Sequence, residues 1–111
     1  MNRPRVWIWI AASGIALVAL AACAAGRGQE AEGAQRGREV FMTECYGCHT
    51  LGGAGTPIAP DLSRIGARLS REALETRVRD PRTHQAAAHM PRLHLRDADV
   101  RALGAYLSEL R

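Results

Sequence analysis

The chain has 111 residues, which predicts one domain and leaves no room for a second catalytic one. Its formal net charge of +4 falls to +2 beyond Arg5, where 13 arginines face 11 acids. No cluster of arginines with interleaved aromatics occurs, so the composition argues against nucleic acid as a partner. Three aromatic residues follow the first ten positions, so the core is small and needs a disulfide, a metal or a cofactor to support it.

The first 25 residues have the pattern of an export signal. Two arginines precede an uncharged apolar run, residues 6–25, and this order directs the following chain across a membrane. The run contains Leu-Ala-Ala-Cys at 20–23, which resembles the lipobox of bacterial lipoproteins, so we expect residues 1–22 to be removed and Cys23 to be lipidated. The alternative is a retained membrane helix, because about 20 apolar residues span a bilayer. Both place the protein in the periplasm or on the outer face of the cytoplasmic membrane.

The next segment separates the signal from the folded part. Residues 24–34 are mostly Gly, Ala, Gln and Glu and show no apolar periodicity. This composition predicts a flexible tether over residues 23–34, beginning at the lipidated cysteine. The folded domain is therefore expected at residues 35–111, and no internal repeat occurs in it.

Residues 45–49 read Cys-Tyr-Gly-Cys-His, the C-x-x-C-H signature of covalent haem c attachment. Residues three apart lie on one face of a helix, so the thiols of Cys45 and Cys48 can both add to the vinyl groups along one porphyrin edge. The next residue, His49, is then carried under the ring, where its imidazole can ligate the iron. The motif therefore predicts one covalently bound haem c and one of its axial ligands.

Three alternative roles fit these cysteines less well. A structural zinc site needs four ligands, and His84 and His89, five residues apart near prolines, lack the spacing of a zinc finger. A thioredoxin-like redox pair needs a preceding strand, which the sequence does not predict. A structural disulfide between Cys45 and Cys48 is sterically poor within one helix and leaves His49 without a role.

The helical pattern is confined to three segments. Residues 35–48 suit a helix that ends before a Gly-rich run. Ser70 can cap a second helix to about Arg79, which must stop before Pro81 because the residue preceding proline avoids the helical conformation. Residues 100–110 carry an apolar stripe at three- and four-residue spacing and predict a last helix. No alternating strand pattern occurs, so the predicted fold is all-α, with three to four helices and long loops around the haem.

These features together resemble the small monohaem class I cytochromes c, over essentially all of residues 35–111. The order of segments matches that family: a helix before the haem motif, Ala-Pro-Asp-Leu at 59–62, Asp-Pro at 80–81, His-Met-Pro at 89–91 and a closing helix with an aromatic before Leu. The resemblance implies the cytochrome c fold, a single covalent haem c and an electron carrier rather than an enzyme. Its expected partners are other redox proteins, a donor and an acceptor.

Met90 is the expected second axial ligand of the iron. It lies 41 residues after the motif histidine, in a stretch that prolines keep out of regular helix, so the chain can cross the far side of the ring as a loop. Met42 belongs to the helix before the motif and cannot reach that side. His84 and His89 remain alternatives, as does an open site, whereas His94 is expected at the surface.

The resemblance also implies supporting contacts. In the family a proline carbonyl accepts the second ring N–H of the ligating histidine, and Pro60 matches that position better than Pro57. Gly37 and Tyr106 match the family's contact between the first and last helices, where a residue without a side chain permits close approach. The serine that often caps the family's last helix is absent, which leaves Asp97 as the expected cap.

The expected function follows from the ligand set. Iron held by a histidine and a thioether has no open position for a substrate, and the thioether favours ferrous iron and raises the potential. We therefore expect a membrane-tethered one-electron carrier between respiratory or dehydrogenase complexes, on the outer side of the cytoplasmic membrane. Two alternatives remain: a dedicated cytochrome subunit of an oxidoreductase complex, and, if Met90 is not a stable ligand, a haem protein that reacts with gases or peroxide.

Overall fold

The computed structural model describes the backbone of residues 5–111 and the side chains of residues 18–111. It is largely helical, which confirms the all-α class, with the helices α1, Arg5–Glu44; α2, Arg71–Arg79; and α3, Asp97–Glu109. Two short 3-10 turns lie between α1 and α3, at Ile65–Ala67 and Pro81–Thr83. The chain divides into two compact units, Met1–Ala31 and Glu32–Arg111.

The first unit contains the N-terminal part of α1, which begins at Arg5. Within the described residues, no helix is both long enough and apolar enough to cross a membrane. Residues 1–4 and the side chains before Val18 lie outside the described part, and much of the predicted export signal at 1–22 falls there. Cys23 lies within the described part and is exposed.

Residues 23–34 belong to α1, whereas the sequence pattern predicts a flexible tether there. Ala, Glu, Gln and Arg make up much of the stretch, and these residues form helix readily even without an apolar face to bury. The side chains from Val18 to Glu32 are all exposed, and burial begins at Ala34. Packing therefore does not account for this part of α1, and three glycines among its twelve residues disfavour helix as well.

A close crossing in the second unit joins α1 to α3 at Gly37. A Cβ atom at this position would overlap the carbonyl oxygen of Ala102 and lie 2.7 Å from Cβ of Tyr106, so glycine is what permits this approach. Phe41, one turn further along α1, is fully buried, and its ring centroid lies 5.9 Å from that of Tyr106. The expected contact between the first and last helices is therefore confirmed. The surrounding core comprises Val40, Phe41, Cys45, Ile65, Leu74, Val78, Val100, Leu103 and Leu107.

Helix α2 begins and ends where the sequence predicts. Oγ of Ser70 accepts a hydrogen bond at 3.2 Å from the backbone N–H three residues on, which caps the first turn. The helix ends at Arg79, and Pro81 opens the following 3-10 turn. Leu74 and Val78 are its buried residues, and the helix packs against α3. This packing places the end of α2 beside the segment that carries Met90.

The start of α3 differs from the prediction. Its N-cap residue is Arg96, whose side chain makes no capping hydrogen bond, and Asp97 is the first helical residue rather than the cap. The carboxylate of Asp97 accepts a hydrogen bond from Nη2 of Arg79 at 3.2 Å, so it links α3 to α2. Two acidic residues in the first turn, Asp97 and Asp99, complement the helix dipole and help the helix to start without a side-chain cap.

Asp99 is the one buried charged residue among those described, and it joins α1 to α3. Its carboxylate accepts hydrogen bonds from Nε of Arg96 at 2.8 Å and from Nε of Arg36, on α1, at 3.0 Å. The hydrogen bonds from Arg96 and Arg36 lower the pKa of Asp99 below its usual range. The carboxylate therefore stays ionised at neutral pH and ties the first helix of the domain to the last.

A short antiparallel hairpin, which the sequence does not predict, follows the Cys-Tyr-Gly-Cys-His motif. It pairs β1, Thr50–Leu51, with β2, Ala54–Gly55. Gly52 and Gly53 form its turn with φ of 58° and 81°, a conformation that favours glycine. Strands of two residues are too short to show an alternating pattern, so the hairpin leaves no periodic signal in the sequence.

Substitutions at two glycines of α1 distinguish the effect of the close approach to α3 on stability from the effect of helix propensity. An alanine Cβ at Gly33 meets no atom within 4 Å, so Gly33→Ala is expected to stabilise the domain by about 0.5–1 kcal/mol. Gly37→Ala is expected to destabilise it by about 1–3 kcal/mol, because the new Cβ overlaps the backbone of Ala102. Denaturant unfolding of the two variants measures both free energies. Equal effects at the two positions would contradict the close crossing.

The ion pairs of Asp99 predict a specific acid sensitivity. Because the folded-state pKa of Asp99 is lowered, its carboxylate stabilises the fold above the unfolded-state pKa of about 3.9, and this contribution is lost as the pH falls through the folded-state pKa. Asp99→Asn should therefore unfold more easily than the wild type at neutral pH, with a difference that shrinks below about pH 4. Thermal unfolding as a function of pH measures it.

The matched control for this prediction is Asp97→Asn. Asp97 also pairs with an arginine, but its side chain is 77% exposed. An exposed ion pair and an exposed charge at a helix start each contribute at most about 1 kcal/mol, so the deficit of this variant at neutral pH should be well below that of Asp99→Asn. If the deficit of Asp99→Asn stayed constant down to the acid transition, the carboxylate would not be its source.

Candidate functional site

The Cys-Tyr-Gly-Cys-His motif forms a tight turn at the end of α1. The helix ends at Glu44, four residues earlier than predicted, and the N–H of Cys45 still donates to the carbonyl oxygen of Phe41 at 2.9 Å. The N–H groups of Cys48 and His49 both donate to the carbonyl oxygen of Cys45, at 3.0 and 2.9 Å. One carbonyl therefore holds the two ends of the motif together, with Cys45 buried and Cys48 exposed.

The imidazole of His49 is oriented by one hydrogen bond. Its Nδ1 donates to the carbonyl oxygen of Pro60 at 2.7 Å. Because a carbonyl oxygen can only accept, this bond places the proton on Nδ1 and leaves the lone pair of Nε2 available to a metal. Of the two candidate prolines, Pro60 makes this bond and Pro57 does not.

The segment that carries the Pro60 carbonyl is braced by Asp61. The carboxylate of Asp61 accepts hydrogen bonds from Oγ1 of Thr50 at 2.7 Å and from the N–H of Ser63 at 3.0 Å. The bonds from Ser63 and Thr50 lower the pKa of Asp61, so it remains an ionised acceptor at neutral pH. The sequence pattern includes Asp61 in a matched string but does not reveal this role, since the contact with Thr50, 11 residues earlier, is found only in the folded chain.

A cavity of about 470 Å³ opens beside the motif. Cys45, Cys48, His49 and Pro60 line one side, and residues between positions 77 and 93 line the other. The volume lies within the range of cofactor pockets in proteins. The fold therefore brings the predicted attachment cysteines and the predicted histidine ligand to the same cavity as the segment that carries Met90.

Three candidates for a second ligand line this cavity. They are Met90, which is half-buried, and His84 and His89, which are both exposed. Nδ1 of His84 accepts a hydrogen bond from Nη2 of Arg77 at 3.2 Å, so one of its ring nitrogens is already engaged. His94, among the described residues, lies outside the cavity lining. Burial therefore distinguishes Met90 from the two histidines near it.

The loop that carries Met90 is closed at its base by Asp80. The carboxylate of Asp80 accepts a hydrogen bond from the N–H of Arg82 at 3.1 Å and pairs with the guanidinium of Arg92. The hydrogen bond from Arg92 lowers the pKa of Asp80. One ionised carboxylate thus ties both ends of the loop, a role that the sequence pattern does not reveal. The sequence offers a signal only for the local part of this role. An Asp directly before a proline that opens a helical turn is in a favoured capping position.

The thiol of Cys45 has an unusual environment. Burial, aided by the neighbouring Glu44 and Cys48, raises the pKa of Cys45 to about 11. At neutral pH the thiol is therefore protonated, whereas reactive redox cysteines have a lowered pKa. This environment disfavours the thioredoxin-like alternative for the pair.

Comparisons with known proteins agree with this geometry. The model of the cytochrome c family matches residues 34–111. The chain is similar to cytochrome c oxidase subunit 2 of Alkalihalophilus pseudofirmus, with 35% identity over 88 residues that cover 70% of this chain and 26% of that protein. It thus spans about a quarter of that relative's length. In structure it is similar to the c-type cytochrome SorU of Sinorhizobium meliloti, with a TM-score of 0.56 and 26% identity, over 71% of this chain and 91% of SorU.

A haem-free variant tests how far the fold depends on the occupant of the cavity. Cys45→Ala/Cys48→Ala removes both expected attachment sites, and the described side chains leave about 470 Å³ unfilled. Because the rest of the core is small, the double variant is expected to be largely unfolded, as measured by circular dichroism and thermal denaturation. Cys23→Ser is the matched control and should retain both haem and a cooperative transition. Native helix content with cooperative unfolding in the haem-free variant would contradict this expectation.

Proposed function

This chain belongs to the cytochrome c family and its cofactor is covalently bound haem c, and from this premise we propose that it is a one-electron carrier tethered to the outer face of the cytoplasmic membrane. The observation that carries the proposal is the cavity lined by Cys45, Cys48, His49 and Met90. A haem iron that also has two side-chain ligands has no coordination position left for a substrate. Such a site therefore suits electron transfer rather than catalysis.

The described residues fit the cofactor. Cys45 and Cys48 would attach it, one from the buried and one from the exposed side of the turn. His49 would ligate through Nε2, since its Nδ1 donates to Pro60. When bound, the haem supplies an iron that gains and loses a single electron. The protein's contribution is to attach, orient and shield that centre.

Met90 is the second ligand that the geometry favours. Its thioether sulfur belongs to a half-buried side chain in the cavity lining, whereas His84 and His89 are exposed. His84 is also engaged through Nδ1 with Arg77. A thioether ligand stabilises ferrous iron and raises the potential, which suits a carrier in a respiratory or dehydrogenase chain.

Both ligand-bearing segments are held by ionised carboxylates. Asp61 braces the segment whose carbonyl orients His49, and Asp80 closes the loop that carries Met90. Supporting hydrogen bonds of this kind orient metal ligands in proteins, which limits their rearrangement when the charge of the metal changes. The arrangement therefore favours repeated electron exchange over ligand release.

Tethering is supported by the sequence and by the exposure of Cys23. We infer that residues 1–22 are an export signal, that Cys23 is lipidated, and that residues 35–111 form the carrier domain. The connecting residues 23–34 are helical. A retained N-terminal anchor would place the same domain on the same side of the membrane.

The partners are redox proteins, a donor and an acceptor. One relative is named as a subunit of cytochrome c oxidase, which favours a second candidate, a dedicated cytochrome subunit of an oxidoreductase complex. The two differ in whether the protein stays bound to its partner. Purification from membranes solubilised in mild detergent tests this, because a dedicated subunit elutes with its complex and a mobile carrier elutes alone.

Substitutions at Met90 test the ligand set. Met90→Ala should lower the midpoint potential, remove the ferric charge-transfer band of thioether ligation and let ferrous iron bind carbon monoxide readily, since the thioether both stabilises ferrous iron and blocks the sixth position. Met90→His should also lower the potential but keep the site closed, because imidazole is the stronger donor to ferric iron. Redox titration and absorption spectroscopy measure both variants.

Three histidines provide the controls for Met90. His84→Ala, His89→Ala and His94→Ala should each leave spectrum and potential nearly unchanged. If Met90→Ala keeps the wild-type spectrum, or if His84→Ala or His89→Ala opens the site, the haem has two histidine ligands and the carrier works at lower potential. Ready binding of carbon monoxide by the wild type would instead favour a gas- or peroxide-reactive protein.

Substitution at Cys23 tests the tether. Cys23→Ser should abolish labelling by a radioactive fatty acid and block processing of the lipoprotein type, because the acceptor thiol is lost. Haem content should be unchanged, since the cavity lining begins at Glu44. An intact mass that shows an unmodified Cys23 within a retained N-terminal segment would replace the lipid anchor with a membrane-spanning one.

A further inference from the structure

The cofactor brings negative charge to the cavity. Haem c carries two propionate carboxylates, and an ionised carboxylate against apolar side chains loses hydration unless a cation or a hydrogen-bond donor faces it. Among the described residues that line the cavity, the permanently charged cation is Arg77, and Glu44 is the carboxylate. The cavity therefore offers one guanidinium to balance the charge of its occupant.

Arg77 differs from the other arginines of α2. Arg71 and Arg79 both pair with Glu75, at 3.1 and 3.7 Å. Within residues 18–111, no carboxylate oxygen lies within 4.0 Å of the Arg77 guanidinium, whose hydrogen bond goes to Nδ1 of His84 at 3.2 Å. Residues 1–17 contain no Asp or Glu. The positive charge of Arg77 is thus left without an acidic partner from the chain.

The surroundings of Arg77 prepare it for an anion. Its side chain is half-buried in the cavity lining, and the bond to His84 restrains the guanidinium. A guanidinium has five N–H donors, so most of them remain for another acceptor, and a carboxylate is the acceptor that matches their geometry. A restrained, half-buried guanidinium of this kind favours binding of a carboxylate that enters the same cavity.

We propose that Arg77 binds a propionate carboxylate of the haem and so positions the cofactor. The proposal depends on covalent haem c, and not on the identity of the second axial ligand or on the membrane tether. Arg77 acts as a positioning residue, since it touches the cofactor's carboxylate and not the iron.

The pH dependence of the midpoint potential tests this proposal. Protonation of a propionate removes negative charge near the iron, so the potential rises as the pH falls through the pKa of that propionate. A bound arginine lowers a carboxylate pKa by about one to three units. In haem-loaded Arg77→Gln the inflection should therefore move to higher pH by about that amount. Arg79→Gln, on the same helix but outside the cavity lining, is the matched control and should keep the wild-type profile.

A second comparison separates the propionate from the neighbouring histidine. Glu44, His84 and His89 also face the cavity, and Arg77→Gln removes the partner of His84. The upward shift should therefore persist when Arg77→Gln is compared with its parent in a His84→Ala background. Infrared redox difference spectra of protein carrying 13C-labelled propionates should show the protonated carboxyl band at higher pH in Arg77→Gln.

The following results would overturn the proposal. A profile of Arg77→Gln that superimposes on the wild type would overturn it, as would a shift that vanishes in the His84→Ala background or one that Arg79→Gln reproduces. If Arg77→Gln fails to retain haem, Arg77→Lys provides the same test, because lysine keeps the charge but loses the fork of donors. Its inflection should move upward by less, and an unmoved inflection would overturn the proposal.

Discussion

The hydrogen bond from Nδ1 of His49 to the carbonyl of Pro60 is the interaction on which the site depends. It joins the turn at the end of α1 to a segment that returns past it, and it leaves one imidazole nitrogen free for a metal. The turn itself is closed by a single carbonyl, that of Cys45, and the returning segment is braced by Asp61. One side of the cavity is therefore formed by these hydrogen bonds, which join residues that lie at most 11 positions apart in the sequence.

The opposite side of the cavity depends on tertiary contacts instead. The crossing of α1 and α3 at Gly37 sets the frame, and α2 packs on α3. The following loop brings Met90 to the cavity and is closed by the ion pair of Asp80 with Arg92. Since few large side chains are buried, this small domain is organised around the space that its cofactor occupies. The cofactor therefore serves both the packing of the domain and its function.

The features that the sequence predicts are those with a local signal. The Cys-Tyr-Gly-Cys-His spacing, the cap at Ser70 and the stop before Pro81 are each written in a few consecutive residues, and the two helix limits are confirmed. Gly37 is identified through family resemblance alone, because the close approach itself depends on α3. The predicted role of Asp97 is wrong, since its partner Arg79 lies on another helix. The braces formed by Asp61 and Asp80 are not predicted, because each combines a local bond to the N–H two residues on with a contact to a side chain 11 or 12 residues away.

Residues 23–34 are helical in the structure, whereas their lack of apolar periodicity predicts a flexible tether. The side chains of this stretch are exposed up to Glu32. The central claim concerns the other end of the domain, the pairing of His49 with Met90 on one iron. Proton NMR of the reduced, haem-loaded wild type tests it most directly, because a methyl group held over the porphyrin face is shifted strongly by the ring current. We predict a three-proton resonance far upfield of all others that is assigned to Met90. A reduced protein without such a resonance would contradict the account.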